Sequence, residues 1–208
     1  MIEQQIRTWE VLDQNVLDLL MKIHREDYIP DNFKQLALAD TRIPLAHGQV
    51  TMTPKVEARI IQSVDIQKTD KVLEVGTGCA YLTAIIASMA KDVVSVDIYP
   101  EFTKSATEKL QNHDISNVTL ETGDAINGWQ TASPYDVIIV TGSLPTLDDC
   151  FQKQLAINGR LFIITGLSPV MNAMIITRVG NDEWAKEILF ETDIPPLVGA
   201  KEPKKFQL

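Results

Sequence analysis

The chain has 208 residues, 45% of them hydrophobic and 23% charged, enough for one domain with a substantial core. Its formal charge of -9 excludes a broad footprint on nucleic acid or on an anionic membrane, because polyanion binding needs a positive field. The two cysteines, Cys79 and Cys150, have neither the spacing of a metal site nor the number for a disulfide framework, which fits a reducing compartment.

In chain order, residues 1–8 are polar and lack the apolar core of a signal peptide, and no later stretch approaches the roughly 18 apolar residues of a membrane span. The expected location is cytoplasmic, with no membrane and no nucleic acid among the partners. Residues 11–23 place Val16, Leu19, Leu20 and Ile23 at helical spacing, with Asp13 as N-cap. Residues 27–31 break that helix, and 36–53 form a long irregular loop of the kind that covers a site. Thr53-Pro54 starts a second helix, hydroxyl cap first and proline at its first position, with Val56, Ile60, Ile61 and Val64 inward.

From there strands and helices alternate. Strands are expected at 71–75, 92–97, 117–121, 136–141 and 160–165, and helices at 81–90, 100–111 and 147–155. Residues 174–178 and 187–191 complete an antiparallel pair around the turn Gly180-Asn181-Asp182. The expected fold is α/β, a doubly wound, mostly parallel Rossmann-like sheet with an antiparallel C-terminal strand pair and an N-terminal helical extension. It is taken as one domain, with helices and a covering loop over 1–53 and the α/β core over 54–208. Lys201, Lys204 and Lys205 form a solvated tail.

Chemistry concentrates on Glu74-Val75-Gly76-Thr77-Gly78, directly after the first strand. Glycines there let the backbone turn tightly and approach a ligand, and the following helix presents its N-terminal amides. Glu74 is placed to order the loop or to meet a cationic part of the ligand. Asp97-Ile98 ends the next strand about twenty residues on, where a carboxylate accepts both hydroxyls of a ribose. Gly123-Asp124-Ala125 follows the third strand, with Asp124 set to bond an exocyclic adenine amine. A dinucleotide fingerprint requires glycine or alanine where this chain has Tyr81. S-adenosylmethionine has no phosphates and needs no such residue, so it is the expected cofactor, leaving S-adenosylhomocysteine as product. No metal is expected.

The sequence resembles the protein-L-isoaspartate O-methyltransferase family over nearly its whole length. The resemblance is carried by Gln4-Gln5-Ile6-Arg7, Val16-Leu17, Arg25-Glu26, the loop Asp40 to Gln49, Pro54, the run Val72 to Tyr81, Val94-Ser95-Val96-Asp97, Gly123-Asp124, and Tyr135 to Thr141. It implies methyl transfer to the α-carboxylate of isoaspartyl residues in protein repair, with a peptide or protein acceptor. It further implies cofactor contacts at Thr51, Met52, Glu74, Val75, Gly76, Thr77, Gly78, Asp97, Ile98, Gly123, Asp124, Ala125 and Thr141. A carboxylate is already ionised at neutral pH, so no general base is required.

The chain departs from the family where a serine precedes the proline. Met52 stands there, with Thr51 and Thr53 as neighbouring hydroxyls and Thr53 also a helix cap. Ala80 replaces the third glycine, and Asp193 replaces an arginine before Ile194-Pro195-Pro196-Leu197-Val198. Three functions stay open: an isoaspartyl methyltransferase, a same-fold methyltransferase with another acceptor such as a small molecule, and an inactive cofactor-binding protein. His24 is expected at solvent or beside a carboxylate, His47 on local backbone or on substrate, and Tyr81 on cofactor or in the core. Asp136, Trp129 and Tyr135 are expected to be structural.

Overall fold

Runs rich in valine, isoleucine and leucine supply the middle strands, because a backbone buried on both faces can satisfy its N–H and C=O groups only against neighbouring strands. In the computed structural model, which describes residues 2–201, seven strands form one sheet. They are β1 Lys71–Val75, β2 Asp92–Asp97, β3 Val118–Thr122, β4 Tyr135–Leu144, β5 Leu155–Leu167, β6 Val170–Gly180 and β7 Glu183–Thr192. Their order is β3-β2-β1-β4-β5-β6-β7. The first five are parallel, β6 runs against β5, and β7 against β6. The chain reverses its direction of strand addition between β1 and β4, the switch point at which open α/β sheets bind ligands.

Four helices accompany the sheet: α1 Gln14–Lys22, α2 Pro54–Val64, α3 Tyr81–Met89 and α4 Pro100–Asn112. Asp13 caps α1 as expected, its carboxylate accepting the Asn15 and Val16 N–H groups. Buried residues of all four helices join Val72, Val137, Ile139 and Phe162 of the strands in one core. Leu73, Val94, Ile138 and Leu161, on the opposite face, pack with Phe151, Trp129 and Tyr135. No helix among the described residues is long and apolar enough to cross a membrane.

The helix expected at 147–155 does not form. Asp148 bonds the Cys150 N–H locally, and only a single tight turn, Gln152–Gln154, follows. Leu155 is already the start of β5, paired with Tyr135, its carbonyl held by Arg178. Strand pairing and an Asx turn thus outcompete helical periodicity. β5, β6 and β7 also run well beyond the expected bounds, because the antiparallel ladders supply hydrogen bonds to residues whose side chains carry little strand signal. Lys201 is exposed, whereas Lys204 and Lys205 lie outside the described residues.

Ala80, which precedes α3, is buried and holds φ at 69°, the left-handed region where a Cβ is strained. The substitution Ala80→Gly is expected to raise unfolding free energy by about 0.5–1 kcal/mol. Urea denaturation of both proteins checks this, and a loss of stability would show that the Ala80 methyl contact outweighs the backbone strain.

Candidate functional site

Gly76 ends β1 with its N–H bonded to the Val96 carbonyl and φ at 99°. Thr141, near the end of β4, donates its hydroxyl to the Val75 and Gly76 carbonyls at 2.9 and 3.0 Å. A Cβ on Gly76 would stand 2.1 Å from that hydroxyl oxygen, so the position admits glycine alone. The two strand ends part just beyond this clasp and open a cleft of about 730 Å³ at the carboxyl edge of the sheet.

The cleft brings together residues from four strand ends: Val75, Gly76 and Gly78; Asp97 and Ile98; Gly123, Asp124 and Ala125; and Thr141. Asp97 is 6% exposed and accepts the Gly78 and Tyr99 N–H groups through different oxygens. Burial raises its carboxyl, against the pull of those backbone bonds. Asp124 accepts the Ile126 N–H with one oxygen and lines the cleft. In the loop before α3, Gly78 donates its N–H to Asp97 and Ala80 donates to the Thr77 carbonyl.

A smaller annex of about 390 Å³ adjoins the cleft and shares Leu45, Val50, Gly76, Gly78 and Thr141 with it. Thr51, Met52, Glu57, Glu74 and Thr77 complete much of its wall. Met52 is 6% exposed and gives its carbonyl to Arg25. The Thr51 hydroxyl accepts from Arg25 and from the Ile43 N–H. Thr53 sits outside both cavities, and its side chain makes no cap bond; only its backbone carbonyl receives the Val56 and Glu57 N–H groups. The capping role expected of its hydroxyl is therefore incorrect, because a backbone carbonyl alone closes the first turn.

Glu74 is fully buried. Its Oε2 accepts from Thr83 and from Ser95, each at 2.6 Å. Ser95 in turn receives the Thr77 hydroxyl, so the hydroxyls form a relay ending on the carboxylate. Oε1 has no protein partner. Burial pushes this carboxyl up to about 7, more than the two hydroxyl bonds pull it down.

Two features were not legible in the chain. Arg25 and Glu57 form a buried ion pair at 2.9 Å that ties α2 to the covering loop. Their separation of 32 residues leaves no local signal. The second is the wall formed by Ile194, Pro195, Pro196, Leu197 and Val198, bonded through Pro195 and Leu197 to Ser143. Two adjacent prolines, unable to extend a sheet, mark that segment. Of the isolated residues, His24 faces solvent beside Glu26. His47 stacks on Tyr99 at 4.0 Å and 3°, pinning the covering loop to the start of α4, beside but not lining the cleft. Tyr81 is 1% exposed, in the core under Arg25. Asp136 receives the Lys71 N–H, Tyr135 donates to the Trp129 carbonyl, and Trp129 fills the space beside Gly123.

A mostly parallel sheet with a glycine loop after β1, and acids at the ends of β1 and β2 and just after β3, defines a Rossmann-like methyltransferase. Comparison with known proteins narrows the class. The profile of the family Protein-L-isoaspartate(D-aspartate) O-methyltransferase matches residues 1–202. A protein-L-isoaspartate O-methyltransferase of Protochlamydia amoebophila is 36% identical over 96% of this chain and 95% of its own. One from Pelobacter propionicus is 31% identical over 97% and 90%. A crystal structure from Plasmodium falciparum, described as such a methyltransferase with S-adenosyl-L-homocysteine bound, superposes with a TM-score of 0.77 at 20% identity, over 92% of this chain and 94% of that one. The chain belongs to the protein-L-isoaspartate(D-aspartate) O-methyltransferase family.

A buried acid raised to about 7 binds its proton more tightly in the folded chain than in the unfolded one. Its stabilising contribution is complete below about pH 4.5 and is lost as pH rises to about 7. Glu74→Gln is expected to remove roughly 3 kcal/mol of that pH dependence. Denaturant titrations at several pH values compare the two proteins, and parallel curves would rule out the raised carboxyl.

Proposed function

We propose that the protein transfers the methyl group of S-adenosylmethionine to the α-carboxylate of isoaspartyl residues in proteins or peptides. The observation that carries this reading is the set of polar groups at the strand ends, in a cleft whose lining charges are Asp97 and Asp124. Carboxylates repel the phosphates of a dinucleotide but suit a sulfonium nucleoside. Asp97 would take the ribose hydroxyls, Asp124 the adenine amine, and Ala125 and Ile98 the faces of the base. Val75, Gly76, Thr77, Gly78, Gly123 and Thr141 would let backbone approach the ligand. Glu74, with Oε1 unengaged in the annex wall, would face the ammonium end. When bound, the cofactor supplies an electrophilic methyl group on a positively charged sulfur.

The protein's own contribution is orientation and exclusion of water. The acceptor carboxylate is ionised without help, so no side chain must remove a proton. On the annex wall, Thr77 donates to Ser95 and Thr141 donates to main-chain carbonyls. Thr51 accepts two bonds and keeps its hydroxyl hydrogen for an acceptor oxygen. Thr51 therefore takes the role that a serine at position 52 would have, while Met52 narrows the annex with apolar surface.

A second reading keeps the cofactor and changes the acceptor, favoured by that apolar Met52 side chain beside Leu45, Val50 and Leu82. Calorimetry with S-adenosylhomocysteine should show binding that Asp97→Asn weakens about tenfold or more, as expected for lost charged hydrogen bonds. Labelled S-adenosylmethionine should methylate an isoaspartyl peptide and not its aspartyl isomer, and Thr51→Val should lower kcat. Tight cofactor binding without methylation would leave the second reading; absence of cofactor binding would overturn both.

A further inference from the structure

Among the described residues, the charged side chains that line the cleft and the annex are Asp97, Asp124, Glu57 and Glu74, all carboxylates. Four cationic side chains near the cleft and annex are engaged elsewhere. Arg25 lies behind Glu57, with Nε and Nη2 on that carboxylate, Nη1 on the Ala37 carbonyl, and Nη2 also on Thr51 and the Met52 carbonyl. Lys109 bonds the Tyr28 and Cys79 carbonyls. Lys55 pairs with Asp40 and covers Trp9, and His47 stands outside the cleft against Glu101. The acceptor of the proposed reaction is itself an anion; with Glu57 paired to Arg25, the wall carboxylates it meets without a cation on them are Asp97, Asp124 and Glu74.

We propose that these wall carboxylates impose an order of binding, in which the acceptor carboxylate occupies the annex only after a cationic nucleoside fills the cleft. The inference rests on the methyl-transfer reading above. A unit positive charge about 4 Å from the acceptor changes its affinity from roughly fivefold in a watery site to several hundredfold in a half-buried one. The same charge disappears during the reaction. A carboxylate oxygen forms its bond to the methyl carbon with its own electron pair, and the pair of the breaking carbon–sulfur bond goes to sulfur. Anion and cation become a neutral ester and a neutral thioether, so the attraction that drew the two together is gone.

The test measures binding, at pH 8 where Glu74 is mostly ionised. Calorimetry follows a short isoaspartyl peptide into the protein alone, the protein saturated with S-adenosylhomocysteine, and the protein saturated with sinefungin. Sinefungin carries a protonated amine in place of the sulfonium; S-adenosylhomocysteine has the neutral sulfur. The peptide is expected to bind the sinefungin form at least about tenfold more tightly than the S-adenosylhomocysteine form, and the free protein no better than the latter. A matched peptide with an α-carboxamide in place of the carboxylate should not distinguish the two nucleosides. Equal affinity of the isoaspartyl peptide for both loaded forms, or equal discrimination by the carboxamide, overturns the order of binding. Nucleoside binding measured first separates this from failure of the cofactor reading. A peptide that binds no form and is not methylated overturns the isoaspartyl reading, and the order with it.

Discussion

Gly76 and Thr141 meet at a distance that only glycine permits, and the site depends on that contact. The Thr141 hydroxyl bonds the Val75 and Gly76 carbonyls where β1 ends. The clasp sits where β1 ends beside β4, and the cleft opens there. Topology places the gap at the switch point; a single hydroxyl against a bare Cα makes it tolerable. The positive φ of Gly76 then turns the chain so that Gly78 delivers its N–H to Asp97.

Behind the clasp stands Glu74, an acid with no counterion among its direct partners. Thr83 and Ser95 bond one of its oxygens, the other faces the annex, and burial holds the carboxyl near neutrality. A lone buried acid of this kind is tolerated because it can take up a proton rather than sustain a charge. The cleft beside it takes its sign from Asp97 and Asp124. A phosphate and a sulfonium respond to that sign in opposite directions.

The covering loop is held at two points of different chemistry. At its base, Arg25 gathers Glu57, Ala37, Thr51 and Met52 into one buried network. At its tip, His47 lies flat on Tyr99 and edge-on to Phe102. The base is a low-dielectric ion pair that loses much if either partner is removed. The tip is a stacked contact near the surface, easier to part. The firm base aligns Thr51 and Met52 with the annex.

Periodicity and turn chemistry determined most of the core by themselves. β1 and β2 fall at the expected residues, and α2, α3 and α4 match within a residue or two, because burial on both faces or on one stripe writes itself into local sequence. The glycine loop and the acids at strand ends were legible for the same reason: a parallel sheet places them together wherever strands end. The fate of 147–155, the length of β5 to β7 and the idle hydroxyl of Thr53 were not legible. Tyr135 and Arg178 decide Leu155, and the ladders on either side of β6 decide the length of β5 to β7. The pairing of Arg25 with Glu57, and of Gly76 with Thr141, is likewise tertiary. Local pattern says which residues turn inward; only the folded chain decides which of them meet, because that depends on distances no window of sequence contains.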